Sequence, residues 1–117
     1  FNYHRSYNIT LNDKVEYIGE EAFKYVLYNM APHQKKLVIP NSVTYIGASA
    51  FENCYIDKVI ISDNVEYLRN NTFAYCFIDD IHLPAKLKHI GRAALNNNRM
   101  RNLVLPDGLE TIEEYAL

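Results

Sequence analysis

The chain has 117 residues, enough for one domain and too few for two of ordinary size. Hydrophobic residues make up 49% and charged residues 22%, a balance that excludes long disorder. A net charge of -2 argues against a nucleic-acid or anionic-membrane partner, and no apolar run reaches the ~18–20 residues a membrane-spanning helix needs.

In chain order, three short phrases recur. The first unit holds Ile9-Thr10-Leu11-Asn12, then Val15-Glu16-Tyr17-Ile18-Gly19, then Ala22-Phe23. The second holds Leu37-Val38-Ile39-Pro40, Val43-Thr44-Tyr45-Ile46-Gly47 and Ala50-Phe51. The third holds Val59-Ile60-Ile61-Ser62, Val65-Glu66-Tyr67-Leu68 and Thr72-Phe73. The fourth holds Ile81-His82-Leu83-Pro84, Leu87-Lys88-His89-Ile90-Gly91 and Ala94-Leu95. The fifth holds Leu103-Val104-Leu105-Pro106, Leu109-Glu110-Thr111-Ile112 and Ala116-Leu117. Val15 and Val43 are 28 residues apart, and every later step between units is 22. Phe1 lies 22 residues before Phe23, so both ends are expected to cut through a repeat, with the array continuing beyond them.

Within a unit, Leu37 and Ile39 alternate with Lys36 and Val38 at the period of a strand. Pro40, Pro84 and Pro106 stop that strand, and Asn41-Ser42, Asp63-Asn64 and Asp107-Gly108 supply turn chemistry. Gly19, Gly47 and Gly91 are expected to permit a sharp bend. The piece after each, such as Ala48 to Cys54, has near-helical spacing. The long step predicts a longer helix over Glu20–Met30, with Glu20 and Glu21 at its N-terminal end and Pro32 ending it. This insertion is either a functional face or a plain loop extension.

One unit of this kind cannot bury its own apolar side, whereas stacking turns each inward position into a ladder. One ladder is Leu11, Ile39, Ile61, Leu83, Leu105. A second is Val15, Val43, Val65, Leu87, Leu109, and a third is Ile18, Ile46, Leu68, Ile90, Ile112. The fourth is Phe23, Phe51, Phe73, Leu95, Leu117.

The segment Ile39 to Cys54 carries Ile-Pro-x-x-Val-x-x-Ile-Gly-x-x-Ala-Phe-x-x-Cys, and this resembles the BspA-like, or Treponema pallidum type, leucine-rich repeats. Arg69 and Glu113 depart from it in place of Gly, Ser62 in place of Pro and Asn98 in place of Cys. The resemblance implies an α/β leucine-rich-repeat solenoid of about five 22-residue repeats. It would have short parallel strands on one face and short helices or turns on the other. Residues 1–117 then form a single domain, a piece of a longer array. The family is similar in being surface-exposed or secreted adhesion and interaction proteins of bacteria, some protists and some viruses. That implies binding and not catalysis, at a cell surface or outside the cell, with a virion or appendage component as the alternative.

The sequence offers no nucleophile elbow, P-loop or dinucleotide fingerprint, so no catalytic residue and no cofactor is assigned. Cys54 and Cys76 occupy one rung in adjacent units, as a disulfide, a redox pair or two buried thiols, and the resemblance implies the thiols. His82 and Asp80 share a strand face, but two ligands do not make a metal site, and none is assigned.

Two outward columns carry the binding expectation. One is Tyr17, Tyr45, Tyr67, His89 and Thr111. The other is Thr10, Val38, Ile60, His82 and Val104. Contiguous exposed Tyr and apolar surface marks an interaction site for a protein or glycan on the strand face, although strand propensity alone favours the same residues. The ten Tyr are open to a similar double reading, as a recognition surface or as the composition of an A/T-rich genome.

Overall fold

Among the described residues, nine short strands pair only in parallel, and each pairs with the same phrase of a neighbouring unit. The computed structural model describes residues 6–28 and 34–117. Strands β1 (Ser6–Thr10), β3 (Gln34–Val38), β5 (Lys58–Ile60) and β7 (Asp80–His82) form one sheet in the order β1-β3-β5-β7. Leu37 pairs with Val59 and Val59 with Ile81, while Ile9 pairs with Leu37 across the long step. The insertion therefore leaves the register intact. Two-residue strands β2 (Tyr17–Ile18), β4 (Tyr45–Ile46), β6 (Tyr67–Leu68), β8 (His89–Ile90) and β9 (Thr111–Ile112) run along a second side, as β2-β4 and β6-β8-β9. Tight turns join the two sides, with Val43 N–H donating to Pro40 O at 3.0 Å and Leu87 N–H to Pro84 O at 3.1 Å.

The inward ladders make the core. Leu37, Val43, Ile46, Phe51, Val65, Phe73, Leu87 and Ile90 are all buried. Phe51 stacks between Phe23, with ring centroids 5.1 Å apart, and Phe73, at 5.2 Å. In the fifth unit Leu105, Ile112 and Leu117, at the same ladder positions, are exposed. Phe1 lies outside the described residues.

The remaining side holds turns where helical spacing was expected. Ala50 N–H donates to Gly47 O and Glu52 N–H to Ser49 O, closing successive β-turns. The intervening amides of Ser49, Phe51 and Asn53 donate to Asn70, Thr72 and Ala74 of the next unit, each at 2.9 Å. An α-helix keeps its amide bonds to itself. Here alternate amides are spent on the neighbour, so this side is also a ladder. The same holds over Glu20–Tyr28, where Glu21, Phe23 and Tyr25 donate to Ala48, Ala50 and Glu52. The helix predicted over Glu20–Met30 is thus replaced by turns as far as Tyr28. Met30 and Pro32 lie outside the described residues.

These turns demand a positive φ at their third residue, as type II turns do. Glu21, Ser49, Asn71, Ala93 and Tyr115 supply it, at φ 56, 58, 58, 56 and 58°. No described glycine has a positive φ. The bend expected of Gly19, Gly47 and Gly91 therefore falls two residues later. Gly47 has another reason to lack a side chain, since a Cβ there would lie 2.5 Å from Glu20 N.

Departures from the repeat phrase become intelligible as hydrogen-bond substitutions. The Cys54 thiol donates to Phe23 O, the Cys76 thiol to Phe51 O and Asn98 Nδ2 to Phe73 O, each at 2.9 Å. Thiol and amide thus serve the equivalent carbonyl of successive units. Both cysteines are free. Ser62, in place of Pro, donates to Val43 O at 2.8 Å. Lys35 anchors the insertion: its buried amine donates to Leu27 O at 2.7 Å, and its amide donates to Asp57 Oδ2 at 2.7 Å. Burial pushes that amine below its ordinary value.

Burial pushes the Cys76 thiol up to about 12. The unfolded thiol ionises near 9, so between pH 9 and 12 the folded state keeps a proton that the unfolded state has lost. Stability from this group is therefore full below pH 9 and falls as pH rises toward 12. A difference of about 1 kcal/mol is expected by pH 10, from ~1.4 kcal/mol per unit. Cys76→Asn should keep the donor to Phe51 and flatten this alkaline loss relative to wild type. Urea titrations at pH 7 and pH 10 read the difference, and parallel losses in the two proteins would sink the assignment.

Candidate functional site

The two-residue strands alternate one outward and one inward side chain, which places the Tyr column on the surface and Ile18, Ile46, Leu68 and Ile90 beneath it. Parallel pairing sets each ring beside its equivalent. Tyr17 and Tyr45 stack with centroids 4.4 Å apart and planes 4° from parallel. Tyr67 and His89 stack at 4.7 Å and 14°. His89 Nδ1 then meets the Thr111 hydroxyl. Tyr17 is 64% exposed and Tyr67 43%, while Tyr45 and His89 are half-buried.

Between Tyr45 and Tyr67 the ladder opens. At the other junctions a backbone amide closes it: Gly47 donates to Ile18 O, Gly91 to Leu68 O and Glu113 to Ile90 O, at 2.7–2.9 Å. At Arg69 the side chain takes over, with Nη1 donating to Ile46 O at 3.4 Å. Its guanidinium lies 3.8 Å from the Tyr45 ring centroid and 5.3 Å from that of Tyr67. The departure from Gly at this position thus inserts a cation into the aromatic column. Sequence reasoning noted the substitution and missed its effect.

Lys88 Nζ lies 3.6 Å from Glu66, and His89 Nε2 lies 3.9 Å from Glu110. Among the described residues, neither Arg69 nor Arg92 has a carboxylate within 4.0 Å.

Thr10, Val38, Ile60 and His82 of the second column sit on the four-stranded sheet, so the two expected columns occupy separate ladders joined by turns such as that closed by Pro40 and Val43. Val38 and Ile60 are half-buried there and His82 is exposed, whereas Leu103, Val104 and Leu105 form no strand, so Val104, 78% exposed, lies off the sheet and not at the strand position expected of it. His82 does not pair with Asp80. Its Nε2 lies 3.3 Å from Asp63 Oδ1, and Asp80 lies 3.4 Å from Lys58 Nζ. Asp80 faces its cross-strand partner Lys58, at the ~4.8 Å ladder spacing and not the about 6.6 Å between residues two apart on one strand, while His82, opposite Ile60, reaches past it to Asp63 in the turn that follows β5. Asp63 also accepts from the Ala85 amide, and that bond, with His82, holds its carboxyl below the usual range.

A third aromatic row lies on the turn side. Tyr28 and Tyr55 are 4.9 Å apart at 43°, Tyr55 and Phe77 5.0 Å at 56°, and Arg99 lies 4.7 Å from Phe77. Burial and then Tyr28 push the Tyr55 phenol up. The signal was present in the sequence: Tyr55 and Phe77 each follow a cysteine of the repeat, and Arg99 follows the Asn that replaces the third.

A profile described as BspA type leucine rich repeat region (6 copies) matches residues 24–117. A leucine-rich repeat protein from Bacteroides ovatus is similar in structure, with a TM-score of 0.78 and 27% identity over 91% of this chain. This chain spans only 29% of that protein's structure. A leucine rich cell surface protein from Faecalibacterium prausnitzii aligns at 17% identity and a TM-score of 0.46, over 91% of this chain and 43% of that one. No curated protein sequence matches the chain at a significant level. With the profile matching most of the sequence and the ladders repeating at its period, the chain belongs to the BspA-type leucine-rich repeat family.

Proposed function

We propose that the chain is a non-catalytic binding module of a larger surface or secreted protein, and that its partner docks on the column Tyr17, Tyr45, Arg69, Tyr67, His89. One observation carries this: an ordered row of aromatic rings, alternately exposed and half-buried, lies above a core that is complete without it. Exposed, pre-aligned Tyr and Arg side chains lose little entropy on binding and are typical interface anchors. The thiols, the groups best suited to covalent chemistry, are committed to carbonyls inside the core and resist ionisation. Adhesion is the role that family membership favours, and Val38, Ile60 and His82 on the neighbouring sheet, with exposed Val104 beyond its last strand, would extend the contact.

The test pans a random dodecapeptide phage library on the wild-type chain and on the Tyr45→Ser/Tyr67→Ser double variant. Peptides retained by wild type should bind the variant at least ~10-fold more weakly, about 1.4 kcal/mol. The variant's thermal midpoint should stay close to wild type. Equal retention would overturn the reading, and an unfolded variant would show that the column belongs to the core.

A further inference from the structure

We infer that the partner is a protein segment that presents a carboxylate to Arg69, and not a glycan that stacks on the rings. This rests on the column being the docking face. Sugar stacking needs an open aromatic face. Tyr45 has one face against Tyr17 and the guanidinium of Arg69 near the other. Tyr67 is covered by His89 on one side and has Arg69 5.3 Å away. With their faces so occupied, Tyr45 and Tyr67 are left to hydrogen bonds and packing against a polypeptide.

Arg69 supplies the chemistry. A guanidinium has five N–H donors in a planar fork matched to a carboxylate. Among the described residues one donation is made, from Nη1 to Ile46 O. The group is half-buried, held by stacking and without an acidic partner, while Lys88 and His89 have Glu66 and Glu110. A hollow of about 280 Å³ opens beside it, with Tyr67, Asn70 and His89 in its wall. Glu113 also lines this hollow, more than 4.0 Å from the guanidinium. An entering carboxylate is therefore directed to the Arg69 side and repelled from the other. Partly desolvated Arg anchors of this kind are where interface energy concentrates.

The library experiment separates this inference from the reading beneath it. Peptides that depend on Tyr45 and Tyr67 should be enriched in Asp or Glu, and should lose at least ~10-fold in affinity on Arg69→Gln, with Arg69→Lys intermediate. Replacing the peptide's own Asp or Glu by Asn or Gln should cost the same against the wild-type protein, a control that needs no change to the fold. Tyrosine-dependent peptides without acidic enrichment, unaffected by Arg69→Gln, would overturn the carboxylate while leaving the docking face standing. Peptides indifferent to Tyr45 and Tyr67 would remove the face and the carboxylate together. Cellohexaose is the glycan probe, and its perturbation of the Tyr45 and Tyr67 ring signals in an NMR titration would overturn the choice of a protein partner.

Discussion

Phe51→Ala is expected to lower the unfolding free energy by about 3–5 kcal/mol, the cost of removing a fully buried aromatic. Phe51 is 1% exposed and is sandwiched between two rings at 5.1 and 5.2 Å. Its removal would empty the middle of a column that three units share. It would also deprive Phe23 and Phe73 of their stacking partner, an effect additional to area burial. Phe51→Leu makes the sharper comparison. The same column already carries buried Leu95 one unit after Phe73, so a branched aliphatic fits that position. The Leu variant should therefore lose less than half as much. Urea-induced unfolding followed by far-ultraviolet dichroism reads both. Equal losses for Ala and Leu would show that ring stacking, not volume, holds the column.

The second large effect is predicted at Gly47. An added Cβ would lie 2.5 Å from Glu20 N, 2.7 Å from Gly19 C and 2.8 Å from Glu20 Cα, all backbone atoms of the preceding unit. Backbone cannot rotate aside, so Gly47→Ala must push two units apart. Overpacking of this kind costs about 1–3 kcal/mol. Gly19→Ala is the control. Among the described residues its new methyl would meet the Tyr17 ring edge alone, at 3.5 Å, and its φ is not positive, so it should be neutral or mildly stabilising. The position alone does not set the cost: Glu113 carries a side chain there and keeps its bond to Ile90, whereas the ladder is open at Arg69. A Gly47→Ala protein as stable as wild type would refute the close-approach account.

Much of this architecture was legible because stacking preserves sequence period as spatial register. The pairings Tyr17 with Tyr45 and Val59 with Ile81 follow from counting residues. What escaped was local. The spacing of Ala50 and Phe51 suits one turn of helix as well as a type II turn, and the choice is made by amide acceptors on the next unit, which no single repeat reveals. For the same reason a positive φ at Ser49 or Asn71 was hidden, since neither residue is glycine. Arg69 was visible as a substitution, but its placement against Tyr45 depends on a junction opening that the repeat pattern does not encode. His82 was matched to Asp80 along the strand, whereas it reaches past its ladder partner Ile60 to Asp63 in the turn of the preceding unit.

The left-handed residues carry a consequence for how the molecule comes apart. A non-glycine residue held at positive φ is uphill by about 1–2 kcal/mol on its own. In each of the first three units the turn side holds at least two such residues, kept in place by amides that bond across to the next unit. Once that neighbour leaves, the strain remains and the compensation is gone. Stability is thus lent from turn to turn, and a pulling force would peel the array in single-unit steps.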